Sequence, residues 1–97
     1  MTASIIYLPG GIKNEVKPKN GKYFTLEELQ TIVGGYIECV YLKDNMTMVV
    51  NEEGKLKGLP CNGLATEITY QNGFIDQNGF VDVIVGPALV CQSKFIK

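Results

Sequence analysis

The chain has 97 residues, 45% of them hydrophobic and 20% charged, with nine lysines against ten acidic residues for a net charge of −1. That length fits one domain, and the balance excludes both a strongly basic nucleic-acid binder and an acidic disordered tail. His, Trp and Arg are absent, which removes the commonest general base, the commonest metal ligand and the bidentate anion clamp.

Cys39, Cys61 and Cys91 are widely spaced, odd in number and form no CxxC pair. This pattern predicts reduced, mostly buried thiols and argues against a zinc site or a disulfide framework. The first residues carry no basic leader, and no apolar stretch approaches the ~20 residues of a membrane span, so the expected setting is cytoplasmic, without membrane contact.

In chain order, Ser4–Leu8 reads as a strand ended by Pro9-Gly10-Gly11. Residues 10–22 bear Lys13, Lys17, Lys19 and Lys22 without periodicity and read as a mobile surface loop. Thr25-Leu26-Glu27-Glu28 fits a capping box, with Thr25 as N-cap and Phe24 and Leu29 as a hydrophobic staple. Leu26, Leu29, Ile32 and Val33 make one stripe and Gly34-Gly35 a left-handed stop, predicting a helix over 25–33.

Tyr36–Leu42 and Met46–Val50 read as an antiparallel hairpin about a Lys43-Asp44-Asn45 turn, followed by a type I turn over Asn51–Gly54. Asn62 is positioned to cap a second helix with Leu64, Ala65 and Ile68 inward and Glu67 outward. Gln-Asn-Gly-Phe occurs twice between Gln71 and Phe80, predicting tight type I′ turns and a protruding hairpin over 71–81. Val81–Val85 reads as a strand, broken by Gly86-Pro87 at a bulge or sheet edge and continued by Ala88–Cys91. The resulting expectation is a single α+β domain over 1–97, of order β-α-β-β-α-β. Two short helices would cover one face of a mostly antiparallel four-stranded sheet.

Leu26-Glu27-Glu28-Leu29-Gln30, Val33-Gly34-Gly35-Tyr36-Ile37-Glu38, Val49-Val50-Asn51-Glu52-Glu53-Gly54, Gly58-Leu59-Pro60 with Asn62, Ala65 and Thr66, and Val83-Ile84-Val85-Gly86-Pro87-Ala88-Leu89-Val90 stand together in this chain. Their combination resembles an uncharacterised family of small proteins common in tailed phages and conjugative elements of bacteria. The 71–80 segment is longer than usual for that family, and Pro87 replaces a more usual polar residue. The resemblance implies a mobile-element origin and a bacterial host cytoplasm, and no particular chemistry.

Candidate chemistry is sparse. Cys61 precedes a helix N-terminus, where the dipole favours a thiolate, but no base accompanies it. Glu52-Glu53 reads as a solvated turn rather than a cation site. Gly10, Gly11 and Lys13 could touch an anion, although neither this Gly pair nor Gly34-Gly35 completes a phosphate-binding motif. Asn51, Glu52, Gly58, Pro60, Asn62 and Thr66 either shape turns and caps or line a ligand or partner surface. Phe74, Phe80 and Val81 place apolar surface on a polar segment, and with the C-terminal strand suggest a homodimer. No catalytic residue, cofactor or metal is expected. The functional expectation is a non-catalytic accessory protein that occupies a host protein, small metabolite or nucleotide in the infected cell. The alternatives are a structural or assembly module, or a nucleic-acid accessory factor working through the lysine-bearing loop.

Overall fold

In the computed structural model, which describes residues 3–96, five strands and two α-helices follow the order β1 (Ser4–Leu8), β2 (Ile12–Val16), α1 (Leu26–Val33), β3 (Ile37–Tyr41), β4 (Met46–Asn51), α2 (Gly63–Gln71) and β5 (Ala88–Gln92), closed by a short 3-10 turn over Ser93–Phe95. Met1, Thr2 and Lys97, the ends of the expected 1–97 span, lie outside the described residues. The strands form one sheet in the order β2-β1-β5-β4-β3, antiparallel at every junction. It is thus a mixed α+β domain with two helices and an antiparallel sheet, and several expectations are corrected.

The sheet has five strands because β2 lies inside the expected loop. Leu8-Pro9-Gly10-Gly11 turns the chain back, with Gly10 at φ +92° and the Gly11 N–H on the Leu8 carbonyl at 3.3 Å. The rest of the segment is tied down as well. Asn20 Oδ1 accepts from the N–H groups of Lys22 and Tyr23 at 2.8 and 2.9 Å, and Glu28 Oε2 accepts from the Lys19 N–H at 3.0 Å.

The helices cover opposite faces of the sheet rather than one. Val49, Leu89 and Cys91 pack with Phe24, Leu29 and Val33 beneath α1. Their strand neighbours Met48, Val50, Ala88 and Val90 pack with Ala65 and Ile68 of α2. Side chains alternate faces along a strand, so residues Thr47 to Asn51 are all buried only because both faces are covered. Leu26, expected in the inward stripe, is instead exposed.

Val81–Val85 forms no ladder; its ends make only isolated bridges, Ile75 to Val81 and Cys61 to Val85. The C-terminal strand is no edge. β5 lies between β1 and β4, and Ala88–Cys91 are fully or almost fully buried.

Local predictions around α1 and the β3–β4 hairpin match the structure. Thr25 Oγ1 accepts from the Glu28 N–H at 3.2 Å, and Glu28 Oε1 accepts from the Thr25 N–H at 3.0 Å. The bonds from Thr25 and then Lys19 hold the Glu28 carboxyl below the usual range. Gly34 ends the helix at φ +82°. Asp44 and Asn45, both at positive φ, provide the primed turn that joins β3 to β4.

The second helix is anchored by Asn62, which is 0% exposed. Its Oδ1 accepts from the Ala65 N–H at 3.1 Å, and Nδ2 donates to the carbonyls of Tyr7 and Gly86, each at 2.8 Å. One amide thereby caps α2, holds the end of β1 and fixes the approach to β5. Gly86 sits at φ +74°, and a Cβ there would lie 2.7 Å from Leu59 Cδ1, so the 54–59 turn closes directly over this junction.

Replacing Thr25 with Ala is expected to cost about 0.5–2 kcal/mol by removing the α1 cap, read as a lower denaturation midpoint at unchanged m-value. Asn62→Ala removes a cap and leaves buried carbonyls unpaired, for an expected loss of about 3–5 kcal/mol. Asn62→Asp keeps the capping oxygen but cannot donate, so it should also be destabilised at neutral pH; wild-type stability of that variant would show that the two donated bonds contribute nothing. A third prediction concerns Cys91, whose thiol is pushed up to about 12 from its ordinary 9.0 by burial and then by the neighbouring Cys39. Below about pH 9 both folded and unfolded chains keep this proton. Between there and about 12 only the unfolded chain releases it, so stability falls as pH rises through that window. The alkaline slope of unfolding free energy should be shallower in Cys91→Ala.

Candidate interaction surface

Residues 73–83 leave the end of α2 and double back in a hairpin turn closed by the isolated Ile75–Val81 bridge. The two Gln-Asn-Gly-Phe copies that dominate its sequence perform different tasks. In the first, Asn72 caps the C-terminus of α2, its Nδ2 donating to the Ile68 carbonyl at 2.8 Å, and Gly73 takes a left-handed φ of +82°. Asn72 Oδ1 also accepts from the Lys43 N–H at 2.8 Å, joining α2 to the β3–β4 turn.

The second copy forms the hairpin tip. The Gly79 N–H donates to the Asp76 carbonyl and the Asp76 N–H to the Phe80 carbonyl, both at 2.9 Å. Asp76 Oδ1 accepts from the N–H groups of Asn78 and Phe80 at 2.8 and 2.9 Å. Gly79 alone has positive φ within this tip. The turn is therefore a three-residue loop ending in a left-handed glycine, in place of the expected type I′ pair, which would need positive φ at Asn78 as well.

With its backbone satisfied locally, the hairpin exposes apolar side chains. Phe80 is 71% exposed, Ile75 49% and Phe74 42%, with Val83 and Tyr70 also exposed nearby. Phe74, Ile75, Phe80 and Val81 line an open concavity of about 610 Å³ whose polar wall is Asp76 and Asp82. The base is fixed at both ends. Phe74 N–H donates to the Thr69 carbonyl at 3.0 Å, and the Ile84 N–H donates to Thr66 Oγ1 at 2.9 Å.

The other candidate residues are dispersed. Asn51 is buried; its Nδ2 donates to the Val33 carbonyl at 3.1 Å and its Oδ1 accepts from the Glu53 N–H at 2.8 Å, tying the end of α1 to the turn after β4. Thr66 donates to the Asn62 carbonyl at 2.8 Å while accepting from Ile84. The polar groups of Asn51, Asn62 and Thr66 are thus engaged in holding backbone. Glu52, Gly58 and Pro60 are exposed. Glu52 and Asn51 border a cleft of about 140 Å³ with Glu38, Lys55 and Asp82, small beside the ~300–1,000 Å³ of typical ligand pockets. Lys55 and Asp82 form an ion pair across it.

Gly10 and Gly11 turn the β1–β2 hairpin, and Lys13 stands on β2 opposite Tyr7. Cys61 is exposed at a bridge to Val85. Burial, and then Glu38, push the Cys39 thiol up from its ordinary value. Among the described residues no group of three or more His, Cys, Asp or Glu side chains converges to hold a metal ion. Nor is any helix among them long and apolar enough to cross a membrane. Of the apolar residues lining this concavity, the sequence had singled out Phe74, Phe80 and Val81 as a self-association surface but not Ile75, whose pairing with Val81 follows from the length of the loop between them.

Neither a curated protein nor a solved structure matches the chain. A family profile does, across residues 2–95. The chain belongs to the family described as Domain of unknown function (DUF3846).

Proposed function

We propose that this chain is a non-catalytic accessory binding protein of a phage or mobile element, acting in the cytoplasm of the bacterial host by occupying a host protein through its 73–83 hairpin. The observation that carries this reading is the exposure of Phe74, Ile75 and Phe80 on a segment whose own backbone bonds hold it in shape. A backbone held in shape before contact loses less entropy on binding, and aromatic residues dominate interface energetics. Asp76 at the concavity calls for a partner with an apolar side chain flanked by Lys or Arg, while the neighbouring Asp82 is already paired with Lys55. The Asp76 carboxylate disfavours a nucleotide or other anionic metabolite at this concavity, and no lysine among the described residues lines it. The resemblance to small proteins of phages and conjugative elements supports the mobile-element setting.

The test is native purification of the tagged protein from infected cells, mass spectrometry of what accompanies it, and reconstitution with the purified host protein. We expect a stoichiometric host partner. Phe74→Ser with Phe80→Ser should weaken the reconstituted complex at least ~100-fold, about tenfold or more per aromatic, with the melting midpoint of the isolated chain unchanged. A partner indifferent to both changes would place the interface elsewhere. Recovery only in purified particles would favour an assembly module, and salt-sensitive retention on DNA a nucleic-acid factor.

A further inference from the structure

The two edges of the sheet differ in kind. β2 carries Lys13 and Glu15 along an exposed strand and is followed by Lys17 and Pro18, features that discourage strand addition. β3 has the sequence Ile37-Glu38-Cys39-Val40-Tyr41, with one charge and no Pro, and no strand of the described chain pairs with its outer side. Its hydrogen-bond phase is set by two contacts flanking the strand. The Leu42 N–H donates to the Met46 carbonyl, and the Glu52 N–H donates to the Tyr36 carbonyl, each at 2.9 Å. Even-numbered residues therefore direct their backbone groups toward β4, and Ile37, Cys39 and Tyr41 direct theirs outward.

We infer that this edge pairs with a second copy of the chain, antiparallel about a two-fold axis at Cys39, joining two sheets into one. In that register Cys39 faces Cys39 of the partner subunit, and Ile37 faces Tyr41 of the partner subunit. These are the residues whose N–H and C=O groups point outward, so every such group of Ile37, Cys39 and Tyr41 gains a partner. Glu38 faces Val40 of the partner subunit, so no like charges stand directly opposite each other, and the two Glu38 side chains are only diagonal neighbours. Tyr36, exposed on the free chain, faces Leu42 of the partner subunit. An isologous contact requires a surface complementary to itself, and this strand meets that condition in hydrogen-bond phase, charge and apolar character together. The interface is separate from the 73–83 hairpin, and its test is independent of that surface.

Sedimentation at tens of micromolar should show a dimer. Tyr41→Pro removes an outward N–H without removing a β3–β4 bond, and should raise the dimer dissociation constant at least ~10-fold while the circular dichroism stays native. Phe74→Ser with Phe80→Ser should remain dimeric. Residues facing each other in a hydrogen-bonded antiparallel pair lie about 5.5 Å apart between Cα atoms, within disulfide range. Copper–phenanthroline oxidation of the Cys61→Ser chain should therefore trap a dimer through Cys39. A wild-type chain that stays monomeric, or a folded Tyr41→Pro that stays fully dimeric, overturns the inference. Should Tyr41→Pro fail to fold, the oxidation decides: a Cys39-linked dimer upholds the pairing and its absence overturns it.

Discussion

One buried amide holds the ends of three elements. Asn62 must supply an acceptor to a helix N-terminus and two donors to carbonyls from distant parts of the chain, inside a space that water does not reach. A carboxamide offers both functions in one plane; a carboxylate lacks the donors and a hydroxyl has only one. The surrounding backbone adds to the same junction. Asn62 N–H donates to the Ile84 carbonyl and Gly86 N–H to the Pro60 carbonyl, both at 2.8 Å. The irregular stretches 52–62 and 81–87 thereby satisfy their polar groups on each other and on α2 without forming ladders, as buried backbone must.

That junction also governs the 73–83 hairpin. Thr66 lies one turn along α2 from Asn62 and receives the Ile84 N–H, so the returning arm of the hairpin is fixed by the same helix end. The outgoing arm is fixed at the other end of α2 by Asn72. Phe74, Ile75 and Phe80 consequently extend from a base anchored on both arms, and their side chains are exposed. Aromatic surface held in this way differs from the scattered apolar exposure found on any soluble domain.

The sheet divides the interior into two apolar clusters. Phe24, Leu29 and Val33 meet one face of β4 and β5, and Ala65 with Ile68 meets the other. Because both central strands are covered twice, stability is concentrated there, and the outer strands remain free to differ. β2 is polar and charged, whereas β3 retains apolar character along an open side. The asymmetry leaves one edge open to strand pairing and the other guarded.

What could be read from the sequence was local. The capping box at Thr25 and Glu28, the glycine stop at Gly34, the β3–β4 hairpin and the Asn62 cap each depend on residues within a few positions of one another, and each is present. β2 was hidden because its side chains are exposed, so no apolar alternation marked it; only the Pro9-Gly10-Gly11 turn before it was available as a signal. Val81–Val85 has the composition of a strand, but a ladder needs a free neighbouring edge, and the backbone there is bonded to Asn62 and Thr66 instead. The sequence placed both helices on one face, whereas residues 47–51 and 88–91 are buried from both sides, because the path of the connections carries α1 and α2 to opposite faces. Likewise, the sequence displayed Phe74 and Phe80 without their setting. Short-range hydrogen bonds and steric preferences belong to neighbouring residues and are written in the chain, whereas the choice of face, edge and exposed surface depends on which distant segments compete for the same backbone groups and the same apolar area.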